Sequence, residues 1–254
     1  MNGPGRVAPH GIDYFNRGHW LSGLQARISV GARRRMFELW RSRAGELRGQ
    51  SLLDVGATPD TERLDSNCML PWFQEAGLSL SLYSPEDVSH LESELPGVRV
   101  LPPFAGAAIP APDASFDWVS SSAVIEHVGS ADQQLEFVRE SARVARLGLF
   151  VTCPNRWHWL EFHTKLPLLH WLPRAGHRAA LRRLGLASWA RETQLRLVGA
   201  GELARLAGRA LGTSWRFEVA SIWTLGMPSN LILLARRNVP PGASTDAQER
   251  GASV

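Results

Sequence analysis

The period of hydrophobic and polar positions changes several times along this chain. From Leu21 to Leu47, apolar residues recur at mixed three- and four-residue spacings on a basic background, which predicts an amphipathic helix broken near Gly31. Seven short apolar runs follow: SLLDVGA, LSLSLYS, VRVL, FDWVSSSA, LGLFVTC, WRFEVASIW and NLILLA. Between them, Glu62 to Ala76, Val88 to Leu95, Ala131 to Ala145 and Gly201 to Leu211 carry helical periodicity. Strands alternating with helices predict an α/β fold, a mostly parallel sheet with helices on both faces. Residues 155–192 break the alternation. They are rich in Trp, His, Pro and Arg and read as an insertion after the fifth strand. Ligands in open α/β sheets sit beyond the carboxyl ends of the strands, so an insertion there is placed to act as a lid. The expected organisation is an N-terminal helical cap over 1–48, an α/β domain over 49–238 and a disordered polar tail over 239–254.

Composition narrows the function. The 254 residues are 44% hydrophobic and 20% charged, enough apolar material for a sizeable core. The formal charge is +4, carried almost entirely by Arg, with Lys165 the single lysine. Apart from Ala32 to Arg35, ARRR, there is no basic block with interleaved aromatics, so nucleic acid is not an expected partner. Two cysteines, Cys68 and Cys153, and polar first residues unlike a signal peptide point to a reducing, cytoplasmic setting. No apolar run reaches the roughly 18 residues of a membrane span.

The first strand carries the first candidate chemistry. In SLLDVGATPD, Asp54 closes the strand and Gly56 follows, where glycine tolerates positive φ and lets a ligand approach the backbone. The next positions are Ala57, Thr58 and Pro59, with Thr58 expected to cap a helix that Pro59 begins. Few backbone N–H groups remain for a phosphate, which disfavours a dinucleotide and hence a nicotinamide oxidoreductase. The turn suits a nucleoside with an amino-acid tail, whose ammonium an acid can meet. Alone, it fits a plain strand and turn equally well.

Two later segments are more specific. PAPDASFDWVSSSAVIEHVGS, Pro110 to Ser130, resembles the fourth-strand region of class I S-adenosylmethionine-dependent methyltransferases, where LPF-x-D-x-SFD-x-V leads into x-x-VIEHV. TCPNRWHWLEFHTKLPLLHWLP, Thr152 to Pro173, resembles a TPNRW…EFHT…LPLLHWLP segment of a bacterial subgroup that also writes its first motif DVG-x-TPD. The resemblance runs from about Ile28 to Leu234. It implies a Rossmann-like sheet of seven strands, the last antiparallel, and S-adenosyl-L-methionine as cofactor. Asp54, Gly56, Ala57 and Thr58 would line its methionine end, and Ser122 would be a further contact. The acid that holds the ribose would be Glu86 or Asp87, although both also suit the positive end of a helix. Ala105, followed by Gly106, stands where relatives carry an acid for the adenine amino group. That leaves open an inactive, methyltransferase-fold interaction module.

For methyl transfer to oxygen or nitrogen of a small-molecule or sugar- or lipid-linked acceptor, a proton acceptor is needed. His127 is the first candidate base, with Glu126 orienting it or holding the acceptor; both could instead merely cap the strand. In the insertion, His163 is expected to line the acceptor pocket between Trp157 and Trp159, or these aromatics form the insertion's own core. No metal is expected there: Pro167 and Pro173 interrupt the seven-residue spacing of His163, His170 and His177, and no tight His pair occurs. LPPF, Leu101 to Phe104, follows the third strand and lacks the polar first residue of DNA amino-methylating enzymes. The Arg-flanked stretch 166–186 is a candidate for peripheral membrane contact.

Overall fold

The computed structural model describes residues 21–102 and 108–238. Ala105, Gly106, the tail 239–254 and the first twenty residues of the expected cap lie outside them. Seven strands form one sheet: β1 (Ser51–Val55), β2 (Ser79–Tyr83), β3 (Arg99–Val100), β4 (Phe116–Ser122), β5 (Ala145–Pro154), β6 (Trp215–Thr224) and β7 (Met227–Arg237). Their spatial order is β3-β2-β1-β4-β5-β7-β6, and β7 runs antiparallel to both neighbours. The first five are parallel, so the carboxyl ends of β1, β2, β4 and β5 share one edge. The order reverses between β1 and β4, the switch point where such sheets open a crevice.

Strand alternation divides the core in two. Leu53, Val55, Val119 and Val151 point to one face and pack against α4 (Ala131–Val144) and α6 (Ala200–Leu211). Leu52, Trp118 and Phe150 point to the other, toward α1 (Leu21–Ala44), α2 (Leu70–Glu75) and α3 (Leu91–Glu94). There Trp40 stacks on Phe150 at 5.3 Å and meets Trp118 and Phe73 edge-on. No described helix is long and apolar enough to cross a membrane.

Several helix boundaries differ from expectation. α1 passes Gly31 unbroken, because burial of Met36, Phe37 and Trp40 outweighs the roughly 1 kcal/mol cost of a mid-helix glycine. The helix expected from Glu62 shrinks to α2. Before it, Asn67 adopts φ 52°, takes the Thr58 N–H on Oδ1 (3.0 Å) and gives its amide to the Thr58 carbonyl (2.7 Å). Such side-chain bonds hold 57–69 as a loop, and Thr58 caps no helix. Similarly, the helix expected from Val88 starts only at Leu91, and the Ser89 N–H goes to Asp87. Between β5 and α6 the chain makes a 3₁₀ turn at Leu169–Trp171 and α5 (Arg174–Arg183), returning to Asn155 through a bridge at Val198.

Candidate active site

At the end of β1, Asp54 is buried and accepts the Ser120 hydroxyl of β4 at 2.8 Å. Burial pushes its carboxyl up to about 6, partly opposed by that hydrogen bond. Gly56 follows at φ +100° and donates its N–H to the Tyr83 carbonyl at 2.8 Å, joining the ends of β1 and β2. A Cβ on Gly56 would stand 2.2 Å from a Val124 methyl. Ala57 packs into the α1-side core, and both backbone polar groups of Thr58 are taken by Asn67. Beyond β2, Ser84 is buried and accepts the Glu86 N–H, whereas Glu86 and Asp87 are exposed. The Ser89 N–H on Asp87 holds that carboxylate below its usual range.

A second group gathers beyond β4. Ser122 accepts the Thr152 hydroxyl at 3.1 Å, and Ala123 turns the chain at φ 59°, a conformation costly for a residue with a Cβ and typical of functional turns. A 3₁₀ turn, Ile125–His127, follows, and then α4 opens with a capping box between Ser130 and Gln133. Gln134 fastens this turn to the chain returning from the insertion, donating to the carbonyls of Ile125 (2.8 Å) and Arg196 (2.9 Å), while the Arg196 N–H bonds Glu126 O at 2.7 Å. That seam places the Gln194 carbonyl 2.6 Å from His127 Nδ1. A carbonyl only accepts, so Nδ1 carries the proton and Nε2 presents its lone pair.

His163 arrives from the insertion, 36 residues on, and its Nε2 faces His127 Nε2 at 3.2 Å. Behind it Glu161 accepts Nδ1 at 2.6 Å and the backbone N–H groups of His163 and Thr164. Burial would raise Glu161, but the His163 charge and these hydrogen bonds hold it at about 2. Burial would lower His163; the Glu161 charge outweighs it and leaves His163 raised. For His127, burial and the neighbouring His163 lower it to about 4, against the pull of the Gln194 carbonyl and of Glu161. Glu126 is fully buried, neither carboxylate oxygen has a hydrogen-bond partner, and burial pushes it up to about 7 against the pull of His163.

Asp54, Gly56, Glu86, Asp87, Ser122, Glu126, His127 and His163 therefore all stand at the carboxyl edge of the sheet. Trp157 and Trp159 do not flank His163: Trp157 is half-exposed against Gly199 and Arg156, and Trp159 lies beside His158. The ring beside His163 is Trp189, at 5.5 Å. Residue patterns also passed over Asn67, Glu161 and Gln194. Glu161 had a signal in its E-x-H spacing; Gln194 acts through its carbonyl and had none. His158 and His170 serve structure, bonding to carbonyls of Leu160, Thr224 and His158. A cavity of about 340 Å³ lined by Trp40, Trp118 and Phe217 opens at the opposite edge of the sheet, away from these residues.

Residues 83–152 match the family model described as a methyltransferase domain. Two Mycobacterium tuberculosis proteins, both named "probable S-adenosylmethionine-dependent methyltransferase", are 43% identical over 76 residues, 29% of this chain. The match spans about a quarter of those relatives' length, 26%. Among solved structures, an S-adenosylmethionine-dependent methyltransferase from Mesorhizobium loti superposes with a TM-score of 0.55 at 16% identity, covering 79% of this chain and 96% of that one. The Burkholderia thailandensis 1,6-didemethyltoxoflavin-N1-methyltransferase, with 1,6-didemethyltoxoflavin and S-adenosylhomocysteine bound, gives 0.51 at 14% identity over 90% and 98% of the two chains. These structures support the fold, and the matched segment is the one that carries β4, the 3₁₀ turn and most of β5. Strand order, an acid and a glycine closing β1, and that segment together make this chain similar to the class I S-adenosylmethionine-dependent methyltransferases.

Proposed function

We propose that this protein transfers a methyl group from S-adenosyl-L-methionine to oxygen or nitrogen of a small-molecule or sugar- or lipid-linked acceptor. The observation that carries this reading is Asp54: a buried carboxyl at the switch point, raised by burial and thus in want of a cation. An ammonium on the donor's amino-acid tail meets that need, and Gly56 beside it takes the positive φ that carries the chain past Val124. Backbone of Ala57 and the side chain of Thr58, together with Ser122, complete this end, and Glu86 or Asp87 at the end of β2 holds the ribose. Ala105 and Gly106 are assigned to the adenine by sequence alone.

When bound, the cofactor supplies a methyl on a sulfonium, which leaves as a neutral thioether as the new bond to the acceptor forms. The chain's own task is to align the acceptor and remove its proton. Both Nδ1 atoms of His127 and His163 are engaged behind the rings, so the Nε2 atoms face one gap. The acceptor's proton enters that gap and is shared by the pair, while Glu161 stabilises the resulting charge on His163 and Glu126 holds the acceptor. The test is transfer of labelled methyl to a metabolite extract by the wild type and by His127→Ala. We expect turnover to fall at least about 100-fold with S-adenosylhomocysteine affinity little changed. Equal loss in both, or none, would reject the proton role. Absence of transfer and of ligand binding in the wild type would instead favour an inactive scaffold.

Exposed Leu168, Trp171, Leu172 and Leu184 lie among Arg174, Arg182 and Arg183 on the insertion. They support a peripheral membrane contact for 166–186, suited to a lipid-linked acceptor.

A further inference from the structure

The gap between the two imidazoles has a second property. Glu126 Oε1 lies 3.9 Å from His127 Nε2 and 4.0 Å from His163 Nε2, which are 3.2 Å from each other. Three atoms so spaced lie on a circle of radius about 2.2 Å, against about 2.0–2.1 Å for zinc to imidazole nitrogen and about 2.0–2.2 Å for zinc to carboxylate oxygen. We propose that Glu126, His127 and His163 form a binding site for a divalent transition-metal ion, zinc by its donor set, with one position left open toward the crevice.

Three observations carry the site. First, the Glu126 carboxylate is buried with neither oxygen hydrogen-bonded, an arrangement that is costly for a charged group unless a cation compensates it. Second, two Nε2 lone pairs at 3.2 Å repel unless something positive lies between them, and a metal ion meets that need. Third, each ring is held from behind as metal-bound histidines are: His163 Nδ1–H by the Glu161 carboxylate and His127 Nδ1–H by the Gln194 carbonyl, fixing the tautomer that presents Nε2. Glu161 supplies one negative charge, and Glu126 a second once a bound ion displaces its proton. The nearby Arg33 guanidinium lies 3.6 Å from Asp65, which offsets it. No pattern of neighbouring histidines announces this set, because His163 joins the other two only when the insertion folds back over the end of β4.

The two-His, one-carboxylate set with an open position is that of catalytic rather than structural zinc sites. A bound ion occupies the Nε2 lone pairs that otherwise take the acceptor's proton, so any part it plays in transfer rests on the methyltransferase reading, whereas its binding does not. The experiment is therefore metal binding by the full chain without cofactor. Metal-depleted protein is titrated with zinc chloride against a chromophoric chelator, and cobalt(II) is added separately to look for ligand-field absorption. We expect one equivalent of zinc bound, visible cobalt bands, and a raised melting temperature with zinc. Glu126→Gln, nearly isosteric, should weaken zinc at least tenfold and remove the thermal shift, while His90→Ala, at an exposed position, should leave both intact. His163→Ala should abolish the cobalt bands if circular dichroism shows it folded. Zinc bound as tightly by Glu126→Gln as by the wild type, or no stoichiometric binding at all, overturns the site. Zinc binding with no affinity for S-adenosylhomocysteine would keep the site and reject the methyltransferase reading.

Discussion

Asp54 ties stability and ligand binding together in opposite directions. Its carboxyl rises from 3.8 to about 6 because burial strips water from the charged form, with the Ser120 hydroxyl opposing. An acid raised on folding binds its proton more tightly in the native chain than in the unfolded one. Its contribution to stability is therefore fully present below about pH 3.8 and lost as pH rises through about 6. Asp54→Asn should equal the wild type near pH 4 and exceed it above pH 7 by about 1–3 kcal/mol in urea unfolding. The same variant should bind S-adenosylhomocysteine more weakly, and wild-type affinity should fall about tenfold from pH 7 to pH 5, as the protonated acid no longer meets an ammonium. A flat pH profile of affinity by equilibrium dialysis would exclude Asp54 from the ligand. This residue was legible because a strand-end acid followed by glycine is a local pattern. Glu126 and His127 were legible from the resemblance of VIEHV. Their pairing with His163, and the supporting Glu161, Asn67 and Gln194, depend on contacts between distant segments, which local patterns do not encode.

The elements that hold the site were read with uneven success, for physical reasons. Each of the seven strands has an apolar run at its position, and α4 and α6 follow their helical periods closely, since each lays one apolar stripe on the sheet. The misread stretch was 57–69, where Thr58, Asp60, Asp65, Ser66 and Asn67 bond one another and their neighbours' backbone instead of continuing a helix. α1, expected to break at Gly31, is continuous because Phe37 and Trp40 anchor it to the sheet across Trp118 and Phe150. The insertion behaves differently. It buries His158, His170 and Leu181 inward and leaves Leu168, Trp171, Leu172 and Leu184 outward near arginines, with Lys165 and Leu168 at positive φ. If this surface meets membrane, wild-type protein should co-sediment with anionic liposomes, and Trp171→Ser with Leu172→Ser should reduce the bound fraction. Binding absent at low salt, or unchanged in that double variant, would remove the membrane contact.

At the scale of the molecule, one sheet edge gathers everything the proposed chemistry uses. The order β3-β2-β1-β4-β5-β7-β6 brings β1 and β4 side by side, so the acid proposed for the donor and the His127 imidazole rise from neighbouring strands. The insertion after β5 adds His163 and Trp189 from above, and the seam through Gln134 and Arg196 locks it to the β4 turn. The opposite edge holds a cavity of about 340 Å³ lined by Arg43, Arg216, Arg236 and Glu218, with no imidazole among its lining residues. Isothermal titration of the full chain with S-adenosylhomocysteine at pH 7.5 asks most directly whether the crevice at the switch point is a donor site. The account predicts a single site saturating in the micromolar range, weakened at least tenfold by Asp54→Asn. No heat at millimolar ligand, or identical binding by Asp54→Asn, would contradict it.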